Sequence, residues 1–168
     1  MTISMYQASA PRFARQLRNL SAILGKAQAH VEAKKLDAGA LTSYRLFPDM
    51  FPLTRQVQIA CDQAKGAVAR LAGVEPPKHE DTEQIFADLQ ARIAKTLDYV
   101  ESVKAAQIDG SEARDIVLKL RTQELRFKGL DYLFNHAYPN FYFHVTTVYN
   151  ILRHNGVELG KKDFVGSF

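Results

Sequence analysis

The chain contains one cysteine, Cys61, and therefore cannot form an internal disulfide bond. The apolar helical pattern around Cys61 predicts a buried thiol. The N-terminal segment MTISMYQASAPRF lacks a signal-peptide pattern, and no apolar run approaches the ~18 residues needed to cross a bilayer. We therefore expect a reducing compartment, the cytoplasm, and no membrane partner.

The chain also lacks any block of like charges, because its 22 Lys and Arg residues alternate along the sequence with 18 Asp and Glu residues. A nucleic-acid-binding protein more often carries a clustered basic stripe with aromatic residues interleaved. Here the aromatic residues gather between 127 and 149, where the local charge is low. We expect no nucleic-acid partner.

Motifs that define a chemistry are missing as well: there is no glycine-rich phosphate loop, no nucleophile elbow and no CxxC pair. Cys61 has no basic sequence neighbour that would activate it, which favours an inert thiol over a nucleophile. Asp49 is placed to cap the second predicted helix, and Asp62 is expected to face solvent. The sequence therefore assigns no catalytic residue.

The composition that is present is typical of a soluble globular protein, with 46% hydrophobic and 24% charged residues. A length of 168 residues fits one substantial core, so we expect a single domain over residues 1–168. No internal repeat or low-complexity segment interrupts it.

Apolar residues at steps of three and four predict three long amphipathic helices. The first begins at Ser4 or Ser9 and extends to about residue 35; the earlier start would place a kink at Pro11. The second spans residues 52–73 and ends at Gly73, and the third spans residues 82–103. Residues 36–51 are predicted to form a structured connection.

The pattern changes after residue 110. Alternating and β-branched residues over 114–130 predict a small hairpin with a polar middle at 121–123. A last helix follows over residues 129–156, and residues 157–168 are predicted to be a C-terminal tail. The predicted fold class is all-α, an up-and-down four-helix bundle with a small β-hairpin before the last helix.

His144 and His154 lie on the last predicted helix, ten residues apart. That spacing separates them by about 80° around the axis and about 15 Å along it, so they cannot hold one metal ion together. His154 falls in the last turn, where a cation favours the helix dipole. His144 shares a face with Asn140, Val148 and Ile151, which predicts an inward-facing imidazole.

Three other histidines are present. His136 extends the row of Asn140 and His144 if the helix continues through Pro139, but it would lie about 12 Å from His144. We expect surface positions for His30 and His79. The densest feature is an aromatic cluster, which indicates core packing, an interface or the wall of a small polar pocket: Tyr132, Phe134, Tyr138, Phe141, Tyr142, Phe143 and Tyr149.

Three segments together resemble the DinB/YfiT-like four-helix-bundle superfamily, in a bacterial branch known as a domain of unknown function. They are the N-terminal helix, PDMFPLTRQVQIACD and PNFYFHVTTVYNILRHNGV, and the resemblance covers nearly the whole chain. It implies a bundle that is often a homodimer. Better-known relatives hold a divalent metal with three histidines, and some are similar to thiol transferases that use small thiol cofactors.

The resemblance places His144 at the second histidine of a pair four residues apart on the last helix. Asn140 stands where the first would be, and Gln56 or Gln58 stands where the second helix would supply the third ligand. Two of the three ligands are therefore replaced, so His144 is the one metal ligand that the resemblance leaves here.

Three hypotheses follow. The first is a dimeric, small-molecule-binding bundle with a pocket between the second and last helices, lined by Gln56, Asn140, His144 and Tyr142. The second is a metal-dependent transferase that uses His144 and oxygen ligands. The third is an interaction module without a pocket.

Overall fold

A computed structural model describes residues 2–120 and 122–167. Its elements follow one another in this order: α1 (Met5–Ala8), α2 (Ala10–Lys34), α3 (Ala38–Thr42), α4 (Leu53–Leu71), α5 (Phe86–Ser102), α6 (Ala105–Ile108), β1 (Asp115–Lys119), β2 (Glu124–Lys128), α7 (Gly129–Asp131), a π-helical segment (Tyr132–Ala137), α8 (Tyr138–His154) and α9 (Lys161–Val165).

The four long helices α2, α4, α5 and α8 form the bundle. α4 packs against both α5 and α8, and α2 packs against α5. Each of these helices buries an apolar stripe, and the stripes together form one core. The predicted fold class is confirmed: a helical bundle with a small hairpin before the last helix.

The N-terminal region contains two helices where the sequence left two starting points open. Ser4 and Gln7 form a capping box that begins α1, and the chain bends at Ser9 before α2 begins at Ala10. Pro11 lies in the first turn of α2, where its missing N–H removes no helical hydrogen bond. The long helix therefore starts after Ser9, without a proline kink in its interior.

The limits of α4 and α5 differ in part from the prediction. Pro52, not Asp49, occupies the N-cap of α4, so the predicted cap is wrong. Gly73 follows the end of α4 with a positive φ of 75°, as the predicted stop requires. α5 begins at Phe86 rather than near Thr82, because the Asp88 carboxylate accepts from two N–H groups just before the helix and fixes its first turn.

The hairpin is a two-stranded antiparallel sheet whose register pairs Leu118 with Leu125. Ile116 and Leu118 turn into the core, as alternation along β1 requires. Part of the predicted polar middle, at Arg121, lies outside the described residues. The chain then passes directly from β2 into α7, the π-helical segment and α8, so one helical rod extends through Pro139.

The segment after α8 is more ordered than a tail. Val157 and Leu159 are buried in the core, and α9 packs against α2. The side chains of Gln16 and Asn19 donate to the carbonyl of Phe164, and Lys26 pairs with Asp163 at 2.7 Å. Polar side chains on α2 thus fix a segment that its own short sequence did not identify as helix.

No helix among residues 2–120 and 122–167 combines the length and the apolar character that crossing a bilayer requires.

Candidate functional site

His144 lies in the middle of α8 and faces α4. Its Nδ1 is 2.6 Å from Oε1 of Gln56, near the start of α4. Both ends of the Gln56 amide are engaged, since its Nε2 also donates to the carbonyl of Phe51 at 3.1 Å. The imidazole is therefore held in one orientation by a glutamine that is itself held by the backbone before α4.

The contact with Gln56 also fixes the state of the ring. A carbonyl oxygen accepts, so Nδ1 carries the proton and Nε2 keeps its lone pair. Burial and the nearby Arg55 guanidinium lower the pKa of His144, which favours the neutral ring. Nε2 has no hydrogen-bond partner among the described residues, and the side chain keeps 9% of its surface exposed.

The other predicted pocket residues do not converge on His144. The Asn140 amide donates to the carbonyl of His136 on its own helix, at 2.7 Å. Tyr142 packs against the rings of Tyr138 and Phe141. The structure therefore brings Gln56 and His144 together and leaves Asn140 and Tyr142 engaged elsewhere.

The surface around His144 is shallow. Phe143 packs edge-on against the His144 ring, and Phe51 lies beside Gln56; both phenylalanines are about half exposed. None of five surface cavities on the described part of the chain is lined by Gln56, Asn140 or His144. A ligand at this site would lie against the surface rather than inside the bundle.

Comparison with known proteins places the chain among its relatives. Residues 5–165 match the model of a family described as a domain of unknown function (DUF1993). The chain belongs to this family. It is also similar to a DinB family member protein from Shewanella denitrificans of known crystal structure, at 46% identity and a TM-score of 0.89. The similarity covers 97% of this chain and 92% of that one. A search of the curated proteins finds no match.

The donor set of this DUF1993 chain does not fit the metal triad that the DinB resemblance implies. No group of three or more His, Cys, Asp or Glu side chains with metal-binding geometry occurs within residues 2–120 and 122–167. Gln56 Oε1 already accepts from His144, and Asn140 bonds to its own helix. One imidazole with two engaged amides does not provide the several protein ligands that a tightly held divalent ion takes.

The remaining histidines occupy different environments. His154 is exposed at the end of α8, as the dipole interpretation predicts. His30 and His79 both line surface clefts but are only partly exposed, and each has one buried ring nitrogen without a partner among the described residues. Burial and nearby cations, Lys65 first among them, lower the pKa of His79 to about 4.

Cys61 is completely buried in α4, as predicted. Burial raises the pKa of its thiol to about 12, and a hydrogen bond with Thr96 and the Arg92 charge offset this only in part. A thiol in this state is inert as a nucleophile.

An ionic network centred on a buried arginine of α5 was not predicted from the sequence. The Arg92 side chain of α5 is 1% exposed and pairs with Asp62 at 2.9 Å, Asp81 at 3.0 Å and Glu83 at 2.9 Å. Gln58 donates to the other oxygen of Glu83 at 2.7 Å. Asp62, expected to face solvent, keeps 38% of its side chain exposed while it pairs with Arg92 and Lys65.

The network also sets the charge of its members. Burial opposes ionisation of Glu83, but hydrogen bonds from Arg92 and Gln58 outweigh it and lower the pKa of that carboxyl. Two features of the sequence could have indicated the network. Arg92 stands among the buried positions of α5, three residues after Leu89, and an acidic run at 80–83 precedes the helix.

Proposed function

We propose that this DUF1993 protein binds a small molecule at the His144–Gln56 pair without a metal ion. The observation that supports the proposal most strongly is the fixed neutral imidazole, with Nδ1 bonded to Gln56 and Nε2 unpaired near the surface. An acceptor atom that no protein group pairs and that solvent can reach is open to a ligand that supplies a donor.

The chemistry around Nε2 indicates the kind of ligand. An unprotonated imidazole nitrogen accepts a hydrogen bond, so the ligand presents a hydroxyl, thiol or amine donor. Phe143, packed edge-on against the ring and about half exposed, provides apolar surface beside it. Among these donors we favour a small thiol, because the DinB-like resemblance includes proteins that use thiol cofactors.

The first test combines metal analysis with ligand binding. We expect protein purified without an affinity tag to contain no stoichiometric metal, and glutathione to raise its melting temperature. At a ligand concentration a hundredfold above Kd the stabilisation would be about 2.7 kcal/mol. His144→Ala should abolish this shift, because it removes the Nε2 acceptor.

His154→Ala is the matched control, since that histidine is exposed at the helix end, and it should keep the full shift. S-methylglutathione, which lacks the S–H donor, should stabilise less than glutathione. Stoichiometric metal that disappears in His144→Ala would contradict the proposal and favour the metal-dependent alternative. Equal stabilisation of wild type and His144→Ala by glutathione would contradict it too.

We further propose that the protein is a homodimer through an aromatic patch formed by Phe47, Phe51 and Phe143. All three residues are more than half exposed, and large apolar residues that stay open to solvent favour an interaction surface. Phe51 lies beside Gln56, and Phe143 packs against His144. A second copy bound to this patch would therefore also cover the shallow site. The homodimers implied by the DinB resemblance agree with this.

Light scattering during size-exclusion chromatography tests the dimer. We expect twice the chain mass of 18.9 kDa for the wild type and the monomer mass for Phe51→Glu, which places a charge in the apolar contact. Ile3→Glu, at an exposed apolar residue outside the patch, should remain dimeric. A monomeric wild type at micromolar concentration would exclude the proposed interface.

A further inference from the structure

We propose a second binding site, for an organic carboxylate with an apolar body, in the cleft between the hairpin and α4. This hairpin cleft has a volume of about 550 Å³ and is bounded by the C-terminal half of α4, the loop after it, β1 and the π-helical segment. Its size is in the range of small-molecule sites. Two cationic side chains line it, Arg70 and Lys119.

Arg70 has a phenol as its partner in place of a counter-ion. Its Nη1 donates to the hydroxyl of Tyr132 at 3.1 Å, and no carboxylate among the described residues pairs with the guanidinium. Tyr132 is completely buried, and burial raises the pKa of its phenol, so it stays neutral beside the cation. The charge of Arg70 is therefore left for a ligand to neutralise.

The position of the guanidinium depends on Gly66, one turn earlier on α4. A Cβ at Gly66 would overlap Nη1 of Arg70. Glycine destabilises a helix interior relative to alanine, and Gly66 lies in the middle of a 19-residue helix. The bare backbone at this position gives the Arg70 guanidinium room to lie across α4 and reach Tyr132.

The π-helical segment places His136 in the lining of the cleft. The His136 ring stacks on Tyr132 at 5.6 Å and 21°, and it also packs against Phe127 at 5.3 Å. Its ring nitrogens have no hydrogen-bond partner among the described residues. Burial, together with the Arg70 charge, lowers the pKa of His136 and favours a neutral ring that can both donate and accept. Single π-helical turns inside α-helices frequently occur at functional sites.

Apolar side chains complete the cleft. Val74, Val117 and Leu120 all line it, and their exposed fractions are 50%, 39% and 47%. Large apolar residues that stay open to solvent around one cleft favour an apolar ligand body. The ligand therefore combines an anionic head at Arg70 with a hydrocarbon or aromatic body against the hairpin.

The charges in the cleft favour a monoanion over a phosphate. Asp62 and Glu75 also line it, and Glu75, which pairs with no cation among the described residues, would repel a dianion more strongly than a monoanion. Lys119 on β1 is exposed. Asp62 is already offset by Lys65 and Arg92. One guanidinium matches one carboxylate, whose two oxygens fit its planar fork.

The hairpin cleft is separate from the His144–Gln56 pair. Gln56 and Arg70 are fourteen residues apart on α4, which places them about 21 Å apart along the helix axis. The carboxylate site therefore does not depend on the function proposed above, and the two can be tested by different probes.

Octanoate is a suitable probe. The matched compounds are 1-octanol, which has no charge, and octyl phosphate, which carries more negative charge. We expect octanoate to shift the NMR signals of the Arg70 side-chain N–H and of the β1 amides in the full-length protein. Arg70→Gln should weaken octanoate binding at least about tenfold, because it removes a charge-assisted pair. Arg70→Lys keeps the charge but loses the fork, and it should also weaken binding.

Arg153→Gln, on the exposed end of α8, is the control and should bind octanoate like the wild type. Gly66→Ala should weaken binding while the cation is retained, because the new Cβ displaces the guanidinium. The proposal is overturned by equal binding of octanol, by tighter binding of octyl phosphate, or by unchanged octanoate affinity in both Arg70 variants. Shifts confined to His144, or no shift up to about 10 mM octanoate, would overturn it as well.

Discussion

Arg92→Ala will lower the free energy of unfolding by about 3–5 kcal/mol, as measured by urea denaturation at neutral pH. The Arg92 side chain is 1% exposed, and it is the common partner of Asp62, Asp81 and Glu83. Removing the guanidinium leaves the Glu83 carboxylate, whose side chain is 9% exposed, with Gln58 as its remaining side-chain partner. The cost is the burial of an unpaired negative charge rather than the loss of a contact.

Arg18→Ala is the matched control for this result. Arg18 also pairs with a carboxylate, Glu101, but the two side chains are 58% and 45% exposed. An ion pair screened by water contributes at most about 1 kcal/mol, so this variant should unfold almost like the wild type. Similar losses of unfolding free energy in Arg92→Ala and Arg18→Ala would show that the Arg92–Glu83 pair is not buried as described.

A double variant separates charge from packing. In Arg92→Met/Glu83→Gln both members of the most deeply buried pair become neutral, and the methionine keeps much of the arginine volume. We expect this variant to recover part of the stability lost in Arg92→Ala, since an unpaired buried charge costs more than a neutral pair. No recovery would indicate that the loss of the Arg92 pairs with Asp62 and Asp81 accounts for most of the destabilisation.

The helices were predictable because each repeats its apolar residues at helical spacing over many turns. α2 and α4 match their predicted spans closely. In the sequence, Phe13, Leu17 and Leu24 mark the buried face of α2, and Val57 and Cys61 mark that of α4. The start of α5 was not predictable in the same way. Thr82 is a good capping residue in sequence, but the Asp88 carboxylate in the first turn caps Gln84 and Ile85 instead.

The sequence predicted only the part of the site that depends on one face of a single helix. The spacing of His144, Val148 and Ile151 indicated an inward imidazole, and His144 is buried on that face. Its pairing with Gln56 depends on how α4 packs against α8, which no local pattern specifies. Asn140 has a nearer acceptor in its own helix, the carbonyl of His136, and a local hydrogen bond of this kind competes with a distant one.

The network around Arg92 depends on tertiary structure to a greater degree than the His144–Gln56 pair does. Its carboxylates come from α4 and from the loop before α5, so charged residues that look solvent-facing in each segment are brought together by folding. The α9 segment illustrates the same limit, because its order comes from Gln16, Asn19 and Lys26 on α2. Short segments that depend on distant partners carry little signal of their own.

Gly129→Ala will destabilise the protein by about 3 kcal/mol or more, an overpacking effect at the junction of β2 and α7. A Cβ at this buried glycine would collide with the backbone carbonyl oxygen of Ser111 and approach its carbonyl carbon to 3.0 Å. Backbone atoms cannot rotate away as the end of a flexible side chain can. The same junction carries the hydrogen bond from the Leu130 N–H to the carbonyl of Glu112 at 3.0 Å, so a shift would also loosen the hairpin.

Gly25→Ala is the informative comparison for that variant, because it makes the same substitution with the opposite expected sign. Gly25 is exposed within α2, and the nearest atom to an added Cβ is Nε2 of Gln90 at 4.0 Å. Alanine there should stabilise the helix by roughly 0.5–1 kcal/mol. Thermal unfolding of both variants measures the difference, and a neutral Gly129→Ala would mean that the loop at Ser111 yields to the new methyl group. A large loss would instead identify close backbone contact as the reason for glycine where the hairpin meets the last helical rod.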